Sequence, residues 1–236
     1  MGTSRRHVER AGGAGGLFRA QIHRSGGGLT VLDLGRLDPY VLWVLNKGGW
    51  TPGRVFPRAD AWMEEIQRLG FPGFDYAGQV LRSLGGLGFL EYAPRTYEGM
   101  VQSWRDQGLP PERWPKAAGI RESCQAALAA LQNLALEAER YTGATFTFQA
   151  LTAARDVEIV LDLDLARTVI GKAIFPIGTV EPDGLVFAAP DHSVYVLFND
   201  GIFFSGGCVE EFLHILFLRG RRPQNIYHLN GQENIL

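Results

Sequence analysis

Little in this sequence suits chemistry by side chains. Cysteine occurs only at Cys124 and Cys208, far apart and outside any CxxC pairing. That argues against a disulfide framework or a thiolate zinc site, and for a reducing cytoplasm. The histidines His7, His23, His192, His214 and His228 are scattered, with no spacing suited to a metal. No apolar run reaches the roughly 18 residues of a membrane-spanning helix. The arginines near the start are not followed by the apolar segment of a secretory signal. An excess of one charge is also missing, since 23 lysines and arginines face 25 acids for a net charge of −2. The whole chain is therefore neither a polycation for nucleic acid nor an acidic tail. No metal, cofactor, membrane or nucleic-acid partner is expected.

What is present is apolar residues and glycine. Hydrophobic residues make up 46% of 236 positions, with 30 glycines, enough for one large domain with a sizeable core. Residues 1–28 hold eight glycines, five arginines and a single acid, Glu9. Ordering so much glycine costs backbone entropy that little here offsets, so residues 1–30 read as a disordered leader. An arginine-rich, acid-poor start is also the composition of an organelle transit peptide. Gly12-Gly13-Ala14-Gly15-Gly16 lacks the preceding strand and following Gly-Lys-Ser/Thr of a phosphate loop.

The folded domain is placed at 31–222, with a loose tail over 223–236. Asp38-Pro39 predicts a helix start, Asp as cap and Pro in the first turn, with a stop at Gly48-Gly49. Pro52-Gly53 marks a turn beside Trp50. Arg54 is either a partner contact or the ion pair or carbonyl cap that holds this turn. Trp62, Ile66 and Leu69 share one helical face, and Ala77, Val80, Leu81 and Leu84 share another. Gly85-Gly86 ends the second of these helices, and Leu87 to Ala93 reads as a strand. Residues 98–116 read as irregular, followed by an alanine-rich helix over about 116–140 with Cys124 on its apolar face. Thr145 to Phe148 alternates like a strand. Val157 to Leu165 has strand period, yet a helix is expected from about Asp164 to a stop at Gly171.

Beyond that point the punctuation is dense. Lys172 to Ile177 is a strand whose Pro176 suits an edge or a bulge. Strands follow at 185–189, 194–198 and 202–204, separated by Pro182-Asp183-Gly184, Pro190 to Ser193, and Asn199-Asp200-Gly201. Val209, Phe212, Leu213, Leu216 and Phe217 form the stripe of a closing helix. Either Ser205 caps it or Gly206-Gly207 supplies the corner. The architecture expected is α+β: an antiparallel meander with helices packed on one face, plus a helical insertion over about 98–140.

Three elements occur in one order: Gly49-Trp50-x-x-Gly53-Arg54, a helix ending Leu84-Gly85-Gly86-Leu87, and Ile170-Gly171-x-x-x-Phe175-Pro176-Ile177-Gly178 before the meander. Over residues 38–220 the chain resembles the third group of the SUKH superfamily, immunity proteins of bacterial polymorphic toxin systems. The resemblance implies a non-enzymatic protein that binds and neutralises a cognate toxin, often a nuclease or nucleic-acid deaminase. Trp50, Gly53, Arg54, Gly85, Gly86, Gly171, Pro176 and Gly178 carry the motifs and read as structural. Residues 98–140 and the leader lie outside the family pattern.

Charge is uneven along the chain: residues 150–236 carry eleven acids against six bases. Asp156, Glu158, Asp162, Asp164, Glu181 and Asp183 are the candidates for contact with a cationic toxin surface, which they would attract and orient. The rival reading on the same fold is an adaptor with a non-toxin partner. An enzyme reading has only Ser205 and Cys208, beside Gly206-Gly207, as a nucleophile turn in which a helix N-terminus lowers the thiol pKa.

Overall fold

Asp38 caps the first helix as expected: its Oδ1 accepts the Tyr40 N–H at 2.9 Å, with Pro39 in the first turn. The computed structural model describes residues 32–160 and 163–228, and of residues 158–160 the backbone only. The leader and residues 229–236 lie outside the described residues. Helix α1 (Pro39–Lys47) ends at Gly48 and Gly49, the latter at φ +94°. Helix α2 (Ala59–Arg68) buries Trp62 and Ile66, while Leu69, expected on that face, is 46% exposed. Helix α3 (Asp75–Leu84) buries Ala77, Val80, Leu81 and Leu84, the predicted stripe. Strand β1 (Gly88–Glu91) follows.

The inserted segment differs from expectation. Residues 96–106, read as irregular from 98, form helix α4 (Thr96–Asp106), with Trp104 buried and Tyr97 and Trp114 ring-packed beside it. The alanine-rich helix is shorter than expected: α5 spans Ala118–Asn133, and Ala135 at φ +54° turns the chain away. Cys124 is buried on it, as a small core residue would be.

After β2 (Ala144–Thr147), the ambiguous stretch is helical. Helix α6 (Ala150–Val160) buries Ala150, Ala153, Ala154 and Val157, and α7 (Leu163–Ile170) stops at Gly171, φ +68°. The rest is β3 (Phe175–Val180), β4 (Gly184–Ala188), β5 (Val194–Phe198), β6 (Gly201–Phe204), α8 (Val209–Phe217) and β7 (Gln224–His228). Strand β7 corrects the tail expected to be loose from 223: its backbone pairs with β6 from Phe204↔Gln224 to Gly201↔His228.

Among the described residues seven strands form one antiparallel sheet in chain order, β1 to β7, with helices packed against it. The expected α+β meander is present and extends beyond the four strands anticipated. Pro176 lies inside the sheet, not at its edge. The register shifts between Pro176 and Gly178, and this bulge accommodates a residue with no N–H to donate. Strand β4 is buried along its whole length. The pairing places Val186 on the face of Phe146, and Phe187 on the opposite one. Phe212 of α8 packs on Phe146, and Phe71 packs on Phe187.

The core contains one polar atom without a partner that lends itself to test. Tyr40 is fully buried, its ring 4.6 Å from that of Tyr141, and its hydroxyl has no hydrogen-bond partner among the described residues. Burial and the Glu91 carboxylate push its pKa up. A buried, unpaired hydroxyl forfeits its water bonds without replacement. Tyr40→Phe is therefore expected to leave stability unchanged or raise it by about 1 kcal/mol, as read by urea unfolding. A loss of stability of that size would show that the hydroxyl has a partner. Among the described residues no helix is long and apolar enough to cross a membrane.

Candidate functional site

The first two motifs of the resemblance, around Arg54 and around Gly85-Gly86, are drawn together. Trp50 is buried, and Gly53 takes φ +76° in the turn after it. The turn aims Arg54 at the end of α3, where its Nη1 donates to the Ser83 carbonyl at 3.0 Å and Nη2 to the Gly85 carbonyl at 2.8 Å. These carbonyls have left the helix ladder, and a guanidinium suits both their lone pairs and the negative helix end. The Phe56 ring lies across Gly85 and Gly86: a Cβ at Gly85 would sit 2.7 Å from Phe56 Cδ1. Arg54 is thus the carbonyl cap, and Gly85 and Gly86 make room for a ring.

A polar cluster sits at the turn between β4 and β5. The Lys172 ammonium donates to Asp191 Oδ2 at 2.5 Å and reaches the Tyr195 hydroxyl at 3.3 Å. The buried Ser193 hydroxyl donates to Asp191 Oδ1 at 2.5 Å and lies 3.2 Å from the Tyr195 oxygen. Between them His192 adopts φ +76° and stacks on Tyr76 with ring centroids 4.1 Å apart. The Tyr76 hydroxyl in turn accepts the Val209 N–H, at the first turn of α8, at 2.8 Å. Serine, tyrosine and lysine together invite a catalytic reading, but the charges oppose it. The hydrogen bond to Asp191 raises the Lys172 pKa, so the amine is held as a cation. Burial alone would raise Asp191; the bonds from Lys172 and Ser193 outweigh it and leave the carboxylate below its usual range. The cluster latches the β4–β5 turn to α3 and α8. Asp191, His192, Ser193 and Tyr195 are neighbours in sequence, but no local pattern joins them to Lys172 or to Tyr76.

The nucleophile turn that an enzyme reading would need finds no support in the same region. Cys208 occupies the cap position of α8, yet burial, with Glu210 nearby, pushes its thiol up to about 11. A thiol held protonated is a poor nucleophile. Ser205 is buried and makes no capping bond, whereas Gly206 at φ +138° forms the corner. The Gly207 N–H is taken by Glu211 at 2.9 Å. His214 is also committed: its Nε2 accepts the Asp38 N–H at 3.1 Å, tying α8 to the start of α1. Burial, with Arg221 adding to it, lowers its pKa, so the ring is neutral and able to accept.

The acidic candidates are distributed over two places. Asp156 is half-buried on α6, and Asp164 stands in the first turn of α7, 90% exposed and 3.5 Å from Arg167. Glu181 and Asp183 are exposed in the turn that joins β3 to β4. The Glu158 side chain and Asp162 lie outside the described residues. Helix α7 leads to the start of β3, whereas the turn closes its far end, so the acids that are described do not form one cluster. Among the described residues no group of three or more His, Cys, Asp or Glu side chains could hold a metal. A shallow cleft of about 240 Å³ lies between α2 and α3 beside Met63, Gln67, Phe74 and Arg82. No family model, curated protein or solved structure matches this chain.

Proposed function

We propose that this chain is an immunity protein of the SUKH type, a cytoplasmic inhibitor that binds a cognate bacterial toxin and carries out no reaction itself. The observation that carries this reading is the use made of the reactive side chains. Lys172, Asp191, Ser193 and His214 are each bonded into the scaffold, and the Cys208 thiol is pushed up to about 11. By contrast, Glu181, Asp183 and Asp200 are exposed. A protein built this way acts through its surface. An acidic surface suits a nuclease or nucleic-acid deaminase, whose substrate face is cationic. It raises the association rate and can occupy the place of the phosphates. A stable complex of this kind buries about 1,600 Å².

The test is titration calorimetry of the full chain against the toxin domain encoded beside it. One-to-one binding with a Kd of about 1 nM or tighter, a range such inhibitors reach, together with loss of toxin activity, is the expected outcome. No binding and no protection of cells that express the toxin would end the immunity reading and favour a non-toxin partner.

A further inference from the structure

In a meander every second turn falls at the same end of the sheet. The turn 181–183 closes β3–β4 and the turn 199–200 closes β5–β6, and the pairs Val180↔Gly184 and Phe198↔Gly201 place them side by side. From Phe175 to Phe204 the chain has four acids and no lysine or arginine. Asp191 is consumed by Lys172 at the opposite end. The other three, Glu181, Asp183 and Asp200, are all exposed at this one.

Beside them the sheet is apolar and incompletely covered. Val180, Phe198 and Phe203 share one face, and all three are half-buried. Gly184 lets the Phe198 ring lie across the strands: a Cβ there would meet Phe198 Cε1 and Val180 Cγ1, each at 2.6 Å. Phe203 meets Phe198 edge-on, with centroids 5.7 Å apart. An apolar centre holding aromatic anchors, with a charged rim, is the anatomy of a protein-binding patch.

We propose that this end of the sheet docks a cationic protein surface, with Phe198 and Phe203 as anchors and Glu181, Asp183 and Asp200 as the attracting rim. The inference rests on the immunity reading, in which the partner is the nucleic-acid-binding face of the toxin. It narrows that reading, because it leaves Asp156 and Asp164 outside the contact. The rim decides between occupants. A second copy of the chain would bring like carboxylates together, whereas lysines and arginines on a partner would neutralise them.

The experiment uses the full chain and the toxin domain, with binding rates measured at two salt concentrations. Asp183→Asn with Asp200→Asn removes two rim charges, and asparagine tolerates the φ of +71° at position 183. This variant is expected to slow association about tenfold at low salt and to weaken its salt dependence. Phe203→Thr is expected to speed dissociation about thirtyfold or more, with melting unchanged within a few degrees. Asp156→Asn with Asp164→Asn is expected to bind within about twofold of the wild type. If the wild type binds and the rim and Phe203 variants bind equally well, the docking surface is wrong while the immunity reading stands. If the wild type does not bind, both fall. A wild-type dimer broken by Phe203→Thr would give the surface to a second copy and overturn the proposal.

Discussion

Gly178→Ala is expected to lower the unfolding free energy by about 3 kcal/mol, the upper part of the usual range for overpacking a buried site. The reason is space, since this glycine does not have a positive φ. Gly178 is buried in β3, opposite Val186 and next to the bulge. A Cβ there would sit closer to the Thr147 carbonyl oxygen than the 3.0 Å that real Cβ atoms respect, with Phe146 Cζ at 3.0 Å and the Thr147 carbonyl carbon at 3.1 Å. A flexible side chain could swing away; a backbone carbonyl held in a ladder cannot. Strand β2 would have to withdraw from β3, and β1 is paired to β2. For a domain of this size the loss corresponds to a fall of about 6–12 °C in Tm. Gly171→Ala is the control. Gly171 has φ +68° but nothing within 4 Å of its missing Cβ, so only backbone strain is added, about 1 kcal/mol. Thermal unfolding of both variants separates the two causes. Equal small losses would mean that β2 does not press on β3 as described.

What could be read from the sequence was whatever a local rule encodes. Asp38-Pro39 caps a helix through its own atoms, and Asn199-Asp200-Gly201 turns a hairpin by its own dihedral preferences; both appear where expected. The resemblance motifs placed Arg54 and Gly85 near structural roles, and the contacts between them, 31 residues apart, show why both occur. Helix α6 was obscured by its own composition. Val157, Ile159 and Leu161 fall at every second position, with Glu158 and Asp162 among the residues beside them, and mimic a strand, whereas the buried stripe is Ala150, Ala153, Ala154 and Val157. Its spacing is helical, but alanine contributes little to an apolar pattern. Helix α4 carried Tyr97, Met100, Val101 and Trp104 at helical spacing, masked by the prolines that follow. Strand β7 has no strong strand formers before Ile226; it exists because β6 offers it an edge, and edges are tertiary facts. The docking end was countable in principle, since two turns separated by one hairpin must be neighbours. The half-exposure of Phe198 and Phe203 was not countable, because it depends on what fails to cover them.

Lys47→Met is expected to cost about 3 kcal/mol, measured by urea unfolding at neutral pH, while Lys47→Met with Glu91→Leu recovers most of it. Glu91 is buried on the edge strand β1, its side chain only 4% exposed, and Lys47 reaches it from α1 at 2.5 Å. Ser123 Oγ, at 3.5 Å, is its other polar contact. Removing the ammonium leaves a desolvated carboxylate with almost nothing to replace its water, a change worth about 3–5 kcal/mol when the pair is fully buried. The Lys47 side chain is 41% exposed, so water partly fills the gap and the lower figure applies. Replacing both partners removes the stranded charge, and apolar pairs of similar volume commonly do as well as the ions. A double variant as unstable as the single one would show that the pair contributes net stability. The expected recovery instead points to register as what the pair provides. In β1, Phe89 and Glu91 face inward, and Leu90, 56% exposed, faces out. A slip of one residue against β2 would expose Glu91 and strand Lys47, so the ion pair forbids it. With leucine at 91 both faces of β1 become apolar and the slip loses its penalty. Amide exchange over Gly88–Glu91 is therefore expected to quicken in the double variant even where its urea midpoint matches the wild type; unchanged protection there would mean that β2 alone sets the register.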